Sequence, residues 1–209
     1  MTTETALPTP SPEVRDAAVV GGTALVAAAV IAGGWWLWRR RGSSSPYYAG
    51  PVVPGGTLMS RFGTRTKNGV VGQHDGVDLQ ARRGTPIRAA GAGVVMGVWQ
   101  DGGVPGYGNL VIIKHGPGEG TLYAHMDTID PAMRAGAMVY PGQAVGTVGC
   151  TDSTASGFPC DGSHLHFEVF RPDPSDDRAF THFNGGVGGH PARQDPQQWA
   201  AERGIRLIG

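Results

Sequence analysis

His164 and His166 stand two apart in Gly162-Ser163-His164-Leu165-His166-Phe167-Glu168-Val169, a run that alternates histidine with apolar residues. The alternation and the β-forming composition predict a strand. Residues two apart on a strand share a face, so both imidazoles point one way and Leu165 and Phe167 the other. Two imidazoles on one face invite a metal, although a packed or solvated histidine pair has the same spacing. A catalytic zinc takes three protein ligands and keeps a fourth position open. The missing donors stand upstream in Gly72-Gln73-His74-Asp75-Gly76-Val77-Asp78-Leu79. That segment has no helical periodicity, and a turn or extended stretch can bring His74 and Asp78 to one point. His74, Asp78 and His166 then make a set of two neutral imidazoles and one carboxylate, which suits zinc. Between the two blocks, Leu122-Tyr123-Ala124-His125-Met126 adds another histidine on a predicted strand.

The order His-x-x-x-Asp, Tyr-Ala-His, His-Leu-His-Phe-Glu resembles the lysostaphin-type (LytM-like) zinc metalloendopeptidases, which cut peptidoglycan cross-bridges or stem peptides. The resemblance covers roughly residues 57 to 170. It takes in Ser60-Arg61-Phe62-Gly63, Gly84-Thr85-Pro86-Ile87, Gly106-Tyr107-Gly108-Asn109, the run up to His115, and Pro141-Gly142-Gln143-Ala144-Val145-Gly146. All three ligands and both further histidines of the family pattern are present. The resemblance implies one zinc, peptidoglycan peptides as substrate, a mostly antiparallel sheet with the metal in a groove, and catalytic roles for His125 and His164.

Amide hydrolysis needs an activated water, a polarised carbonyl and a proton for the leaving amine. Zinc supplies the first two, lowering the pKa of bound water to about 7. The His-Glu-x-x-His motif, with its glutamate base, is absent from the chain. His125 and His164 are the candidates for proton transfer, since an unperturbed imidazole titrates at about 6.5. Strand geometry aims His164 into the groove of His166. Tyr123, two residues from His125, either donates a hydrogen bond to oxyanion or substrate there or packs in the core. His115, at the end of Leu110-Val111-Ile112-Ile113-Lys114, is expected to be structural, or a partner of a ligand, and not a ligand itself.

The elements that must position these residues are short strands. The chain has 209 residues with 35 Gly and 16 Pro, which favours an all-β protein with many turns. Strands are predicted near 85–90, 92–99, 108–115, 120–125, 137–148 and 163–170, a spacing that argues an antiparallel sandwich or half-open barrel. Cys150 and Cys160 are the only cysteines. Their spacing is wide for a thiolate metal knuckle, and a disulfide closing the loop, with the oxidising compartment it implies, is the preferred reading. The loop is an insertion relative to the family pattern. Within 171–209, residues 171–193 read as a long loop, with His182 and His190 solvated, followed by a short helix with Asp195 as N-cap and Pro196 at its first position.

Residues 1–16 read as a disordered tail. Ala17 to Trp38 carry no charge and as a helix would span about 30 Å, the thickness of a hydrocarbon core. Trp35, Trp36, Trp38 and Arg39-Arg40-Arg41 at its end complete a single-pass transmembrane anchor in a lipid bilayer. Residues 39–56 read as a basic flank and flexible linker, and 57–209 as the metallopeptidase domain. Net charge is zero, and no basic stripe or aromatic nucleic-acid motif stands out, which argues against a nucleic-acid partner. The arginines after the anchor place the domain in the cytoplasm by the positive-inside rule, whereas a wall substrate and a disulfide place it outside. A virion protein of a membrane-containing phage, assembled inside and delivered from outside, reconciles the two. The alternative function is a virion or envelope structural or wall-binding protein whose peptidase activity is secondary or lost.

Overall fold

The computed structural model describes residues 45–67, 69–104, 106–151, 162–171 and 193–209. The anchor expected over 17–38, the tail before it, His182 and His190 lie outside the described residues. Among the described residues no helix is long and apolar enough to cross a membrane.

The main sheet runs in the order β11 (Met138–Val139), β7 (Gly93–Val104), β8 (Gly108–Gly116), β9 (Glu119–Ala124), β13 (His164–Phe170), β5 (Val77–Gln80) and β2 (Thr57–Ser60). All of these neighbours pair antiparallel. A three-stranded antiparallel sheet of β10 (Met126–Ile129), β12 (Ala144–Val148) and β6 (Pro86–Arg88) is a second layer. The mainly β, antiparallel architecture is therefore the one the turn-rich composition predicts. The expected strand over 137–148 is two strands, because the turn between them needs Gly142 at φ 75°, a backbone conformation that residues with a side chain rarely adopt.

The central strands are covered on both faces, which is why Leu110-Val111-Ile112-Ile113 is an unbroken apolar run. Val111, Ile113, Tyr123, Leu165 and Phe167 pack into the main core with Ile87, Met126 and Val148 of the second sheet. Leu110, Ile112, Leu122, Ala124 and Phe170 form a smaller cluster on the opposite face. Burial of Leu165 and Phe167, both fully buried, contributes about 1.5–3 kcal/mol each. A one-residue slip of β13 would drive His164 and His166 into that core and expose both apolar side chains, so the register of the histidine strand is strongly specified.

Two regions differ from the expectation. A hairpin of β3 (Gly63–Lys67) and β4 (Val70–His74) occupies sequence that has no strand periodicity. Val70 and Val71 near its turn are 70% and 68% exposed, so burial does not impose an alternation there. The second difference is the boundary of the linker. Residues 45–56 are built into the domain: β1 (Pro51–Val53) pairs parallel with β15 (Arg206–Ile208), and Val52 and Val53 are fully buried. Tyr47 Oη donates to Glu119 Oε1 at 2.5 Å, and Arg203 Nη2 donates to Glu119 Oε2 at 2.6 Å. Pro and Gly composition suggests a linker, but two buried valines and the half-buried contact of Tyr47 with Glu119 outweigh it. Helix α1 (Pro196–Glu202) begins as expected, with Asp195 Oδ1 accepting from the Gln197 amide at 2.8 Å and Pro196 at the first turn.

Candidate active site

Strand pairing brings the metal-ligand candidates together. His166 lies directly opposite Asp78 across the β13–β5 pair, and His74 ends β4 four residues before Asp78. The intervening turn presses against β13 at Gly76, where a side-chain carbon would collide with the Phe167 carbonyl oxygen and crowd the His166 ring. The glycine in the His-x-x-x-Asp block is thus a condition of the close approach.

His74, Asp78 and His166 are all buried. His74 Nε2 lies 3.1 Å from Asp78 Oδ1 and 3.1 Å from His166 Nδ1, and His166 Nδ1 lies 2.9 Å from Asp78 Oδ1. The outer nitrogens define the tautomers. His74 Nδ1–H donates to the Arg61 carbonyl at 2.7 Å, and His166 Nε2–H donates to Glu168 Oε1 at 2.9 Å. Each imidazole therefore turns its bare nitrogen toward Asp78 Oδ1. Three lone pairs converge on one another, and only a positive centre makes that arrangement favourable. A proton meets the demand in part. Burial opposes charging His166, but its hydrogen bonds to Asp78 and Glu168 prevail and raise it to about 9. Burial likewise works to raise the Asp78 carboxyl, and the bonds and charges of His166 and His74 hold it well below the usual carboxylate range. The donor set also fits a tetrahedral zinc, whose N and O ligands at about 2.0–2.1 Å stand about 3.3 Å apart.

Partners outside the ligands complete the cluster. Arg65 Nη1 donates to Asp78 Oδ2 at 3.0 Å and to Ser60 Oγ at 2.8 Å, which leaves Oδ1 alone facing the imidazoles. Tyr107 Oη donates to Glu168 Oε1 at 2.8 Å. The burial of the Tyr107 hydroxyl and the neighbouring Glu168 charge push its pKa up, so it stays a donor. Glu168 could have been found by alternation, since it shares a face with His164 and His166. Nothing in the spacing identifies Arg65 or Tyr107.

His125 and His164 join the same face, with ring centroids 4.8 Å apart, and His125 lies 5.8 Å from the His166 ring. His125 Nδ1–H donates to the Thr151 carbonyl at 2.9 Å, and His164 Nδ1–H to the Gly162 carbonyl at 2.7 Å. Both therefore keep a bare Nε2. Burial, with the charges of His166 and His164, lowers His125 to about 4, which keeps it a proton acceptor at neutral pH.

Of the two places open to Tyr123, it takes the one in the core. It is fully buried in the main core, edge-on to Phe167 at 5.2 Å, and its hydroxyl accepts from the Ala90 amide at 2.9 Å and from Thr121 Oγ1 at 3.2 Å. It makes no contact with the groove because strand alternation ends at His125, whose φ is +59°. His125 turns to the site face while Tyr123 stays on the core face. His115, as expected, is structural: Nδ1–H donates to the Ala92 carbonyl at 2.8 Å, Nε2 lies 2.9 Å from Thr121 Oγ1, and the ring lies beside Trp199. Cys150 is disulfide-bonded; Cys160 lies outside the described residues.

The antiparallel fold and the buried histidine–aspartate cluster define a metallopeptidase-like domain. Residues 72–178, just over half of the chain, match the model of peptidase family M23, and the chain belongs to that family. Over 98 residues it is 42% identical to the lipoprotein YgeR of Escherichia coli, which covers 47% of this chain and 35% of that protein. It is 39% identical over 96 residues to the DD-carboxypeptidase/endopeptidase Mpg of Neisseria meningitidis (46% and 20% of the two chains). It is 32% identical over 114 residues to the murein hydrolase activator NlpD of Salmonella typhimurium (54% and 26%). The chain thus spans between a fifth and about a third of the length of these relatives. Its fold is similar to that of the catalytic domain of lysostaphin from Staphylococcus simulans, at 23% identity, with a TM-score of 0.51 over 70% of this chain and 92% of that one.

Proposed function

We propose that this chain is a zinc-dependent endopeptidase that hydrolyses peptide bonds in peptidoglycan and is anchored in a membrane through residues 17–38. The observation that carries the reading is the convergence of three bare donor atoms with two further histidines on one face of the sheet. His74, Asp78 and His166 would hold the zinc, which when bound activates water and polarises the scissile carbonyl. His125 and His164, each held by a backbone carbonyl at Nδ1, present Nε2 to the reacting groups. One takes the proton of the attacking water and the other delivers a proton to the departing amine. Glu168 and the Arg61 carbonyl hold the two ligand imidazoles in the required tautomer. The uncharged stretch of 17–38 supports the anchor, and the disulfide at Cys150 supports an oxidising, wall-facing compartment. Delivery by a virion remains the arrangement that also satisfies the arginines at 39–41.

The test is digestion of purified cell walls by the zinc-loaded full chain, with released peptides identified by mass spectrometry. New amino termini at a defined bond, abolished by chelator, are the expected result, and intact walls would sink the proposal. A second reading is suggested by the relative named as a murein hydrolase activator. In that case peptides would be released only when a separate hydrolase is added. Digestion of the domain by protease added to intact spheroplasts is the expected result for a wall-facing domain, and protection would place its synthesis inside.

A further inference from the structure

Glu168 is a fully buried carboxylate beneath His166. On Oε1 it receives the His166 Nε2–H at 2.9 Å and the Tyr107 hydroxyl at 2.8 Å. As a metal ligand His166 is a neutral imidazole, and the Tyr107 hydroxyl is uncharged, whereas a buried carboxylate needs a cation as well as hydrogen bonds. Arg193 supplies it: its Nε lies 2.7 Å from Glu168 Oε2 with the side chain 6% exposed. The contact is close enough for an ion pair although off the line of a hydrogen bond.

Arg193 belongs to β14 (Arg193–Gln194), beyond the 72–178 stretch that matches the family model. It reaches the site because β5 pairs with β13 only from His164 to Phe167. β14 then takes over the pairing, with Arg193 opposite Phe170 and Gln194 opposite Val169. Phe170 faces the site side of the sheet, and the Arg193 guanidinium lies 4.2 Å from its ring centroid.

We infer that Arg193 is a positioning residue of the metal centre: by compensating the buried Glu168 charge it holds Glu168 Oε1 on His166 Nε2–H and so keeps His166 Nδ1 aimed at Asp78 and His74. The inference rests on the reading of that centre as a zinc site. It makes the C-terminal segment part of the site, because without the cation Glu168 is drawn toward water and the imidazole loses its fixed orientation.

The test is zinc affinity, measured on the full chain in detergent by competition with a chromogenic chelator. Arg193→Met is expected to weaken zinc binding roughly 10–100-fold, as loss of a partner that orients a ligand does. Arg193→Lys, which keeps the charge, should recover most of the loss. Glu168→Gln and the double variant Glu168→Gln/Arg193→Met should bind alike, because Arg193 acts through Glu168. A folded Arg193→Met that binds zinc as tightly as wild type overturns the inference. So does a double variant weaker than Glu168→Gln by the factor that Arg193→Met imposes on wild type. If Arg193→Met does not fold, the comparison of Glu168→Gln with the double variant decides, since both charges are then gone. Failure of the wild type itself to bind zinc overturns the metal reading and this inference together, whereas zinc binding by wild type with an indifferent Arg193→Met overturns the inference alone.

Discussion

His125 follows Tyr123 by two residues, yet the two side chains lie on opposite faces of the sheet because φ is +59° at His125. Such a torsion is uncommon for a residue with a side chain and places the imidazole within 4.8 Å of the His164 ring. The roles proposed for the four histidines rest on which ring nitrogen each carbonyl or carboxylate occupies. His74→Ala, Asp78→Ala and His166→Ala should each lose zinc, since two protein donors remain in each case; full occupancy in all three by elemental analysis would refute the ligand set. His125→Ala and His164→Ala should keep zinc and lose wall hydrolysis by about 10²–10⁴-fold, the range for a lost acid–base group. Wild-type hydrolysis by either variant would remove that histidine from the chemistry.

At the scale of elements, the segment before β1, the end of α1 and the β8–β9 hairpin are clasped through Glu119, by way of Tyr47 and Arg203. Burial works to raise the Glu119 carboxyl, and its hydrogen bonds to Tyr47 and Arg203, with the charges of Arg203 and His115, bring it below the usual value. A carboxylate whose folded pKa is depressed contributes stability above its unfolded value of about 4.3, and that contribution is lost as pH falls through the folded value. Glu119→Gln should therefore cost about 1–3 kcal/mol at pH 7 by leaving the half-buried Tyr47 and Arg203 donors without their charged acceptor. The gap between variant and wild type in urea unfolding should close as the pH falls below about 4.3. A gap that persists at pH 2–3 would show that packing, and not charge, carries the clasp. Burial lowers His115 in the same region, and its contribution runs in the same direction, falling as pH drops below about 6.5.

For the whole molecule, a metal that binds only the folded state adds stability by mass action. Free zinc at about 100 times its dissociation constant adds about 2.7 kcal/mol, which for a domain of this size raises the melting temperature by about 5–10 °C. Chelation should reverse the shift in wild type and have no effect on His74→Ala. Equal melting of wild type with and without zinc would mean that the centre takes no metal in the folded chain.

The sequence by itself carried the strand of His164 and His166, because alternation of buried and site-facing residues is a local signal that a strand expresses directly. It also carried the cluster of His74, Asp78 and His166, since two imidazoles and a carboxylate are a donor set recognisable from residue type and motif order. The N-cap at Asp195 was legible for the same reason, a local bond between near neighbours. Tyr123, Tyr47, Arg65, Thr151 and Arg193 were not. Their places depend on one positive torsion, on valines buried in a Pro/Gly-rich stretch, and on contacts between segments far apart in the chain. Residue types alone cannot distinguish an arginine on a buried carboxylate from one in water, and only the pairing of β14 with β13 decides it.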